Sequence, residues 1–501
     1  MIYPVRAGME QPAPLAIAGL TRDAVVAAMA DGPDAVLALF AQVLAPLVER
    51  VRALEAERAK DSHNSSKPPS TDPARTGRAP RSLRGRSGQR PGGQPGHPGR
   101  TLALRATPDV IRTHAPAACA RCGGAFAPGA PAAVVAAERR QVFELPPVAL
   151  VCTEHRVAER TCAGCGATTR GAYPPAARST VQYGPGVLAL GVYLTAQHLL
   201  PVARAAEVLG ALVGQRVSPA TLAAAEARGA AALAPVTAHI RAGLAASPVL
   251  HLDETGFFVA DGPGPMRRWW LHVVCTPTLT HYVAHPKRGT AAHAAVGLLP
   301  AYAGTAVHDG YASYFTHRGC AHALCGVHLL RELTFLAEEG GARWAAALKR
   351  GLLTMKHAAD RARTAGAAAV PRAALARYRR RYAALLAAGE AAEPPPVRAS
   401  KFGHPRRTPG AQLLLRLRRD QGAVLRFLTD LRVPFDNSEA ERDLRMMKVE
   451  QKVSGGFRTA GGAATFCALR GYLSTARKQG QSALGVLRDL LAGQPFMPAV
   501  P

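Results

Sequence analysis

The sequence has few acidic residues, no long apolar run and no recognisable export signal. Of its 501 residues, 62 are Lys or Arg and only 34 are Asp or Glu, so the net charge is +28. No run of about 18 apolar residues without charges is present, which argues against a membrane span. The N-terminus lacks a basic stretch followed by an apolar core and a cleavage site, so we expect no signal peptide.

The excess of basic residues indicates a polyanionic partner. Lys and Arg side chains neutralise phosphates and release counterions, so binding of such a partner should be strong and salt-sensitive. The alternative is a soluble enzyme from an Arg-rich proteome, whose charge reflects no specific partner.

Cysteine is also scarce, and the nine residues are an odd number. Two CxxC pairs, each followed by Gly, comprise Cys119, Cys122, Cys162 and Cys165. They favour metal binding in a reducing compartment over disulfides. We predict one structural zinc ion in a module over residues 108–170. Cys152 and His155 are alternative ligands, and stretches 141–145 and 148–157 look like strands.

The first 60 residues predict a helix with an apolar seam. Spacings of three and four separate Leu37, Phe40, Leu44, Leu47, Val51 and Leu54. The seam fits either a dimerising, leucine-zipper-like coiled coil or an amphipathic helix packed on a core. Pro46 lies inside it and should kink the helix or delay its start.

Residues 61–107 have no apolar periodicity and are rich in Gly, Pro and Arg. A segment of this composition buries too little apolar area to offset its ordering entropy, so we expect a flexible, disordered basic linker. The linker either lies along DNA phosphates or is only a solvated tether. Its candidate phosphate-binding residues are Arg78, Arg81, Arg84, Arg86 and Arg90.

Residues 171–245 predict helices. Two short helical stretches, 201–210 and 217–222, flank Gly214, and Ser218 and Pro219 suit the N-cap and first position of the second helix. A DNA-binding helix-turn-helix and an ordinary helical hairpin both fit this pattern.

Residues 246–450 show the alternation of an α/β domain. The predicted strands cover 249–253, 269–275, 281–285, 305–309 and 320–325. A predicted helix over 327–335 follows them. Three hairpin strands followed by further strands and helices fit a ribonuclease-H-like fold, in which the first and fourth strands are neighbours. Asp253 and Asp309 end those two strands and should therefore meet. An Ala-, Leu- and Arg-rich stretch at about 341–430 predicts a helical insertion, and residues 451–501 form a C-terminal region.

A third acidic residue, Glu441, lies on a predicted helix. Asp436 and Glu439 have the spacing of a capping box, which would occupy both carboxylates with backbone amides. Glu441 is about 200° around the helix from Glu439 and is free for a metal. Taken singly, Glu441 also fits a solvated surface charge, and the two aspartates fit strand-end caps.

Together, the three carboxylates can hold two divalent cations that clamp the attacking and leaving oxygens of a phosphoryl transfer. Three basic residues follow Glu441 closely enough to hold phosphates, namely Arg442, Arg445 and Lys448.

Cys325 and His328 form a CxxH on one predicted helix. Zinc binding with Cys320 and His322 is one interpretation, and a packing or DNA-positioning role that supports the site is the other.

Several motifs, in this order, give the chain a resemblance to the transposases of the insertion sequence 66 family from about residue 35 almost to the C-terminus. After the apolar seam come DSHNSSKPPS (61–70), GGQPGHPG (92–99), the CxxC pairs with TEHR (153–156) between them, DET (253–255), DGY (309–311), CGVHLLREL (325–333), DNSEAER (436–442) and GYLSTA (471–476). The stretch KVSGGFRT (452–459) departs from the family pattern, so recognition of DNA ends there should differ.

The resemblance implies that Asp253, Asp309 and Glu441 are the acidic triad of a DDE transposase. It implies two Mg²⁺ ions, with Mn²⁺ as an alternative, and cleavage and rejoining of the terminal inverted repeats of a bacterial element. Expected partners are transposon-end and target DNA, further copies of the chain in a dimer or higher oligomer, and accessory proteins of the element. The expected location is the cytoplasm, at the nucleoid.

Two other classes fit parts of the pattern. One is a catalytically silent, zinc-dependent DNA-binding regulator derived from a transposase. The other is a ribonuclease-H-like nuclease that cuts DNA but cannot join it.

Overall fold

The structure, a computed structural model, describes residues 21–60, 64, 96, 102–114, 116–126, 139–146, 148–174, 176–262, 264–396 and 407–501. The described residues belong to two compact units. One contains 21–60, 172–209 and everything from 217 onward, and the other lies within 81–171 and 210–216. Within the described part of the chain, no helix is long and apolar enough to span a bilayer.

The N-terminal seam lies on a continuous helix. Helix α1 (Arg22–Ala30) precedes α2 (Pro33–Arg58), so the predicted delay of the helix until after position 46 is wrong. Seam residues Leu37, Leu44 and Leu54 are 67%, 49% and 55% exposed. Packing on a core would bury these side chains. The interpretation of α2 as an amphipathic helix packed on a core therefore does not by itself describe this chain. The coiled coil stays a prediction.

The cysteine-containing unit has little regular structure. Its hairpin joins β1 (Glu159–Thr161) to β2 (Thr168–Arg170) in antiparallel register. The described residues 141–146 and 148–157 contain no strand, so that prediction is wrong. Val142 and Val151 are 90% and 93% exposed, and apolar β-branched residues form strands only where a partner strand is available.

Helices dominate residues 185–246, as the sequence predicts. They are α3 (Pro185–Val192), a π-helical turn (Tyr193–Gln197), α4 (Val202–Val213), α5 (Pro219–Ala232) and α6 (Ala234–Ala246). The Ser218 hydroxyl accepts a hydrogen bond from the Ala220 amide, and Pro219 is the first residue of α5. The predicted helix start is therefore confirmed.

A five-stranded mixed sheet forms the centre of the larger unit. Its strands are β3 (Val249–Val259), β4 (Arg267–Cys275), β5 (Thr280–His285), β6 (Thr305–His308) and β7 (Ala321–Leu324), in the spatial order β5-β4-β3-β6-β7. The first three are antiparallel, whereas β6 runs parallel to both β3 and β7. The predicted α/β class is confirmed, and the first and fourth strands of this sheet are neighbours.

Helices between the strands and after them complete the unit. Helix α7 (Thr290–Val296) precedes β6, and α8 (Gly326–Glu338) follows β7. The stretch predicted to be a helical insertion contains α9 (Arg343–Thr364), α10 (Arg372–Ala392), α11 (Pro409–Arg419), α12 (Gln421–Val424) and α13 (Arg426–Thr429). Their apolar faces share a core with α8, in which Leu348, Tyr382 and Leu417 are buried.

Three further helices complete the unit, the first two packed on the sheet and the last on α3 and α5. They are α14 (Ser438–Ser454), α15 (Ala460–Lys478) and α16 (Ala483–Leu491). On α14, Ala440, Leu444 and Met447 recur at helical spacing and join a core with Phe257 and Leu271 of the sheet. This buried stripe fixes which face of α14 looks outward.

A buried asparagine locks the start of α14 to the sheet. Asn437, with no exposed surface, donates a 2.8 Å hydrogen bond to the Leu252 carbonyl, and its Oδ1 lies 2.9 Å from His251 Nδ1. Its own amide donates to Cys325 Sγ over 3.3 Å. Because this side chain is committed to β3, it is not available to cap the helix.

The predicted capping box is wrong for the same reason. Asn437 occupies the N-cap position, Asp436 accepts a bond from the Ser438 amide, and Glu439 pairs with Arg442 over 3.1 Å. The helix begins one residue later than the capping box requires, so Glu439 does not reach back to a free amide.

We expect Asn437→Ala to lower the free energy of unfolding by about 3 kcal/mol, because it leaves the Leu252 carbonyl and the His251 ring nitrogen buried without partners. Urea denaturation measures the change. The matched control is Ser438→Ala at the neighbouring exposed position, for which a change within about 0.5 kcal/mol is expected. Equal effects of the two substitutions would contradict the role assigned to Asn437.

Candidate active site

Asp253 lies in the middle of β3, where it pairs with Val273 of β4. Its side chain is half-buried, and Oδ1 accepts a 2.8 Å hydrogen bond from the Glu254 amide. Burial raises the pKa of Asp253 well above its usual value, and the negative charges of Glu254, Asp309 and Glu441 raise it further. Strand β3 therefore places the Asp253 carboxylate among other negatively charged side chains.

Asp309 follows β6 directly and is 26% exposed. Its Oδ1 accepts a 2.8 Å hydrogen bond from the Tyr311 amide, which turns the carboxylate back over the strand end. Gly310 has a φ of +94°, a conformation that favours glycine over every other residue. Because β6 and β3 are parallel, with His251 opposite Val307, Asp309 at the end of β6 lies level with Asp253. Strand β3 continues to Val259, so the prediction that Asp253 ends its strand is wrong.

Glu441 lies on the first turn of α14, beside the buried residue Ala440, and is 26% exposed. Its negative charge adds a small part to the raised pKa of Asp253, after burial and the charges of Glu254 and Asp309. The structure therefore brings together the three acidic residues that the sequence singles out, from β3, the end of β6 and α14.

The chemistry of these donors suits a divalent cation, although the ligand atoms of Asp253, Asp309 and Glu441, all described residues, do not all lie within 4.8 Å of one another. The ligands are carboxylate oxygens, which Mg²⁺ and Mn²⁺ prefer. A cation would also relieve the mutual repulsion that raises the pKa of Asp253.

Cys325 and His328 lie beside Glu441. The ligand atoms of these three residues are within 4.8 Å of one another, the only such group of three or more among the described residues. His328 Nδ1 lies 3.8 Å from Glu441 Oε1 and is buried without a hydrogen-bond partner in the described chain. Burial raises the pKa of the Cys325 thiol to about 12. These three side chains could hold a metal ion, and the contact of His328 with Glu441 equally suits a role in positioning Glu441.

Cys320 and His322 do not complete a site with them. Cys320 Sγ lies 4.0 Å from His322 Nε2, and His322 Nδ1 lies 3.1 Å from His308 Nε2. The four-residue zinc site considered from the sequence is therefore wrong, because the two pairs have different neighbours.

Glu254 and Arg288 are site residues that the sequence did not single out. Glu254 is fully buried as a side chain, accepts a 2.6 Å hydrogen bond from Arg288 Nε and accepts another from the Tyr314 hydroxyl. Arg288 Nη2 also lies 3.6 Å from Asp309 Oδ2. Glu254 was visible next to Asp253, but Arg288 lies in a loop with no motif, and only the fold brings it here.

The three basic residues after Glu441 have different surroundings. Lys448 is half-buried and donates to the Gly256 carbonyl over 3.3 Å, so its ammonium is committed to β3. Arg442 is 62% exposed and pairs with Glu439. Arg445 is exposed and has no carboxylate partner among the described residues, which leaves it the best placed of the three for phosphate. Arg78, Arg81, Arg84, Arg86 and Arg90 lie outside the described residues.

Each CxxC pair forms a knuckle. The Gly123 amide donates to the Cys119 carbonyl and the Gly166 amide to the Cys162 carbonyl, each over 2.9 Å. Hydrogen bonds from backbone amides within each knuckle lower the pKa of the Cys119 and Cys162 thiols, which favours the thiolate that zinc binds. Among the described residues, however, no three of the four knuckle sulfurs lie within 4.8 Å of one another. The individual knuckles suit zinc, and their joining in one site stays a prediction.

Comparison with known families places the chain. The family model described as Transposase IS66 family matches residues 180–465, more than half of the sequence and all three acidic residues. The chain belongs to this family of transposases. Residues 18–103 match a second model, which describes a family of unknown function. No curated protein matches the chain.

Buried histidines behind the acidic residues predict a loss of stability at low pH. Burial lowers the pKa of His272 and of His293 to about 4, from an ordinary value of 6.5. Each contributes fully to stability above pH 6.5, and the contribution is lost as the pH falls towards 4, because the unfolded chain takes up the proton first. We expect the free energy of unfolding to fall by about 2 kcal/mol per histidine between pH 7.5 and pH 5.

Urea denaturation of His293→Phe at both pH values checks this, since the fall should be about 2 kcal/mol smaller than in the natural chain. The exposed His357 provides the control, and His357→Gln should leave the fall unchanged. The same fall in His293→Phe and in the natural chain would contradict the assignment.

Proposed function

We propose that this chain is a DDE-type DNA transposase with a ribonuclease-H-like catalytic domain. It binds the terminal inverted repeats of a bacterial insertion sequence, cuts the DNA and joins its 3′ ends to a target. The strand register that sets Asp253 level with Asp309, together with Glu441 on the first turn of α14, supports the proposal. Membership of a transposase family supports phosphoryl transfer on DNA as the reaction at these carboxylates.

The reaction is an in-line phosphoryl transfer, in which a new P–O bond forms as the P–O3′ bond breaks. Asp253, Asp309 and Glu441 would hold two Mg²⁺ ions, whose chemistry when bound would be to activate a water or 3′-hydroxyl and to stabilise the leaving oxygen. Asn437 and His328 orient Glu441, the first through the start of α14 and the second by contact. Arg445 binds phosphate close to the cleaved bond.

Other parts of the chain serve DNA binding and assembly. The basic linker binds phosphates without sequence preference, while the zinc module and the helices around Ser218 read the element ends. The exposed seam of α2 pairs with a second copy, so the active form is a dimer or larger, assisted by accessory proteins of the same element.

We expect Asp253→Asn, Asp309→Asn and Glu441→Gln each to reduce cleavage of element-end DNA in Mg²⁺ by about 100-fold or more, because each removes a charged metal ligand at nearly constant volume. DNA binding should stay within a few-fold. Single-turnover cleavage of the DNA that flanks the gene, with binding titrations alongside, measures both quantities.

Glu439→Gln is the matched control, since it changes the same residue type on the same helix. Its exposed ion pair with Arg442 contributes less than about 1 kcal/mol, and cleavage should be nearly unchanged. Natural cleavage rates in Glu441→Gln would refute the triad. Metal-dependent cleavage without joined products would indicate a nuclease, and binding without cleavage a silent regulator.

The purified chain should hold about one zinc ion, and Cys119→Ser should lower the zinc content and unfold the cysteine-containing unit, because metal binding and folding are coupled in small modules. Elemental analysis and circular dichroism check this. Cys152→Ser, at an exposed cysteine outside the knuckles, should retain the zinc. Unchanged zinc in Cys119→Ser/Cys162→Ser would exclude the site.

A further inference from the structure

Arg288 is held firmly beside the acidic residues although it belongs to the loop between β5 and α7. Its Nε donates a 2.6 Å hydrogen bond to Glu254 Oε1. The guanidinium carbon lies 4.0 Å from the centre of the Tyr311 ring and 5.0 Å from the centre of the Trp270 ring. A planar cation with one carboxylate partner and two aromatic neighbours has little freedom to turn.

Glu254 serves this arrangement and is not a fourth metal ligand. One of its carboxylate oxygens accepts from Arg288 and the other from the Tyr314 hydroxyl, and its side chain has no exposed surface. Tyr314 is itself buried, with its ring stacked against those of His293 and His308 at centroid distances of 4.8 and 4.6 Å. A rigid buried scaffold therefore aims the guanidinium.

The outer edge of Arg288 is open. A third of its side chain is exposed, and Nη2 lies 3.6 Å from Asp309 Oδ2, which is an ion-pair distance but too long for a hydrogen bond. Of the five guanidinium N–H groups, Glu254 takes one, so the terminal nitrogens keep donors for a ligand that reaches Asp309. The parallel donors of a guanidinium match two oxygens of a phosphate group.

We propose that Arg288 binds a non-bridging oxygen of the DNA phosphodiester at or next to the cleaved bond, with Glu254 as its positioning residue. The inference deepens the proposed function, since it assigns a substrate contact to the same site. Arg288 has a fixed orientation beside the carboxylates of the candidate site. It draws the substrate phosphate to a site that carries four carboxylates.

Another role for Arg288 is to balance the charges of Glu254 and Asp309 and nothing more. A double substitution distinguishes the two roles. Glu254→Gln/Arg288→Gln removes both charges of the pair, so it should restore activity if charge balance is the whole role. It should stay defective if the guanidinium holds the phosphate.

The first experiment compares single-turnover cleavage of element-end DNA in Mg²⁺ by full-length variants. We expect Arg288→Gln to lower the rate about 100-fold and Arg288→Lys about 10-fold, since Lys keeps the charge but loses the paired donors. Arg268→Gln is the matched control. Arg268 stacks on the same Trp270 ring at 4.6 Å, and its loss should change the rate less than about threefold. Recovery in Glu254→Gln/Arg288→Gln, or an unchanged rate in Arg288→Gln, would overturn the proposal.

The second experiment does not need cleavage, so it distinguishes this inference from the proposed function. Binding is measured in Ca²⁺ to end DNA with a single neutral methylphosphonate placed in turn at each phosphate across the terminus. The natural chain should lose about 10-fold in affinity at the contacted phosphate, and Arg288→Gln should lose nothing further there. Equal losses in both proteins at every phosphate would overturn the contact, even where the natural chain cleaves normally. If the methylphosphonate and Arg288→Gln are coupled at one phosphate but the natural chain does not cleave DNA, the phosphate contact stands and the proposed enzymatic function is refuted.

Discussion

The buried side chain of Asn437 is the interaction on which the geometry of the candidate site depends. The side-chain amide bonds to His251 and to the Leu252 carbonyl of β3, and the backbone N–H of Asn437 donates to Cys325 at the start of α8. Asp253 comes one residue after Leu252, and Glu441 comes one helical turn after Asn437. A single fully buried amide therefore sets the distance between two carboxylates that are far apart in sequence. An amide does this well because it donates and accepts in one plane and carries no charge to desolvate.

A site that gathers negative charge must offset the repulsion in the folded protein. Burial raises the pKa of Asp253, and the negative charges of Glu254, Asp309 and Glu441 raise it further. Arg288 compensates part of this charge permanently, since neighbouring Glu254 and Asp309 outweigh the effect of burial and raise its pKa. A divalent cation bound among these carboxylates would compensate the rest.

Local patterns predicted local structure well. The alternation of apolar residues located all five strands of the central sheet, and Ser218 followed by Pro219 located the start of α5. Predictions failed where a partner far away in sequence decides the outcome. Asp436 and Glu439 have the spacing of a capping box, yet Asn437 is drawn into β3 and the box does not form. Residues 141–157 have strand-like composition but no neighbouring strand with which to pair.

The sequence by itself determined the α/β class, the helical character of the stretch before the last acidic motif, and the identity of three carboxylates that meet. Each of these follows from periodicity, or from acidic residues in apolar runs whose pairing is restricted by topology. Only the tertiary structure decided that Glu254 and Arg288 belong to the site, that Lys448 is committed to β3, and that His328 contacts Glu441. Such contacts join residues about 30 to 190 positions apart, and nothing in the local sequence encodes which loop will face which strand.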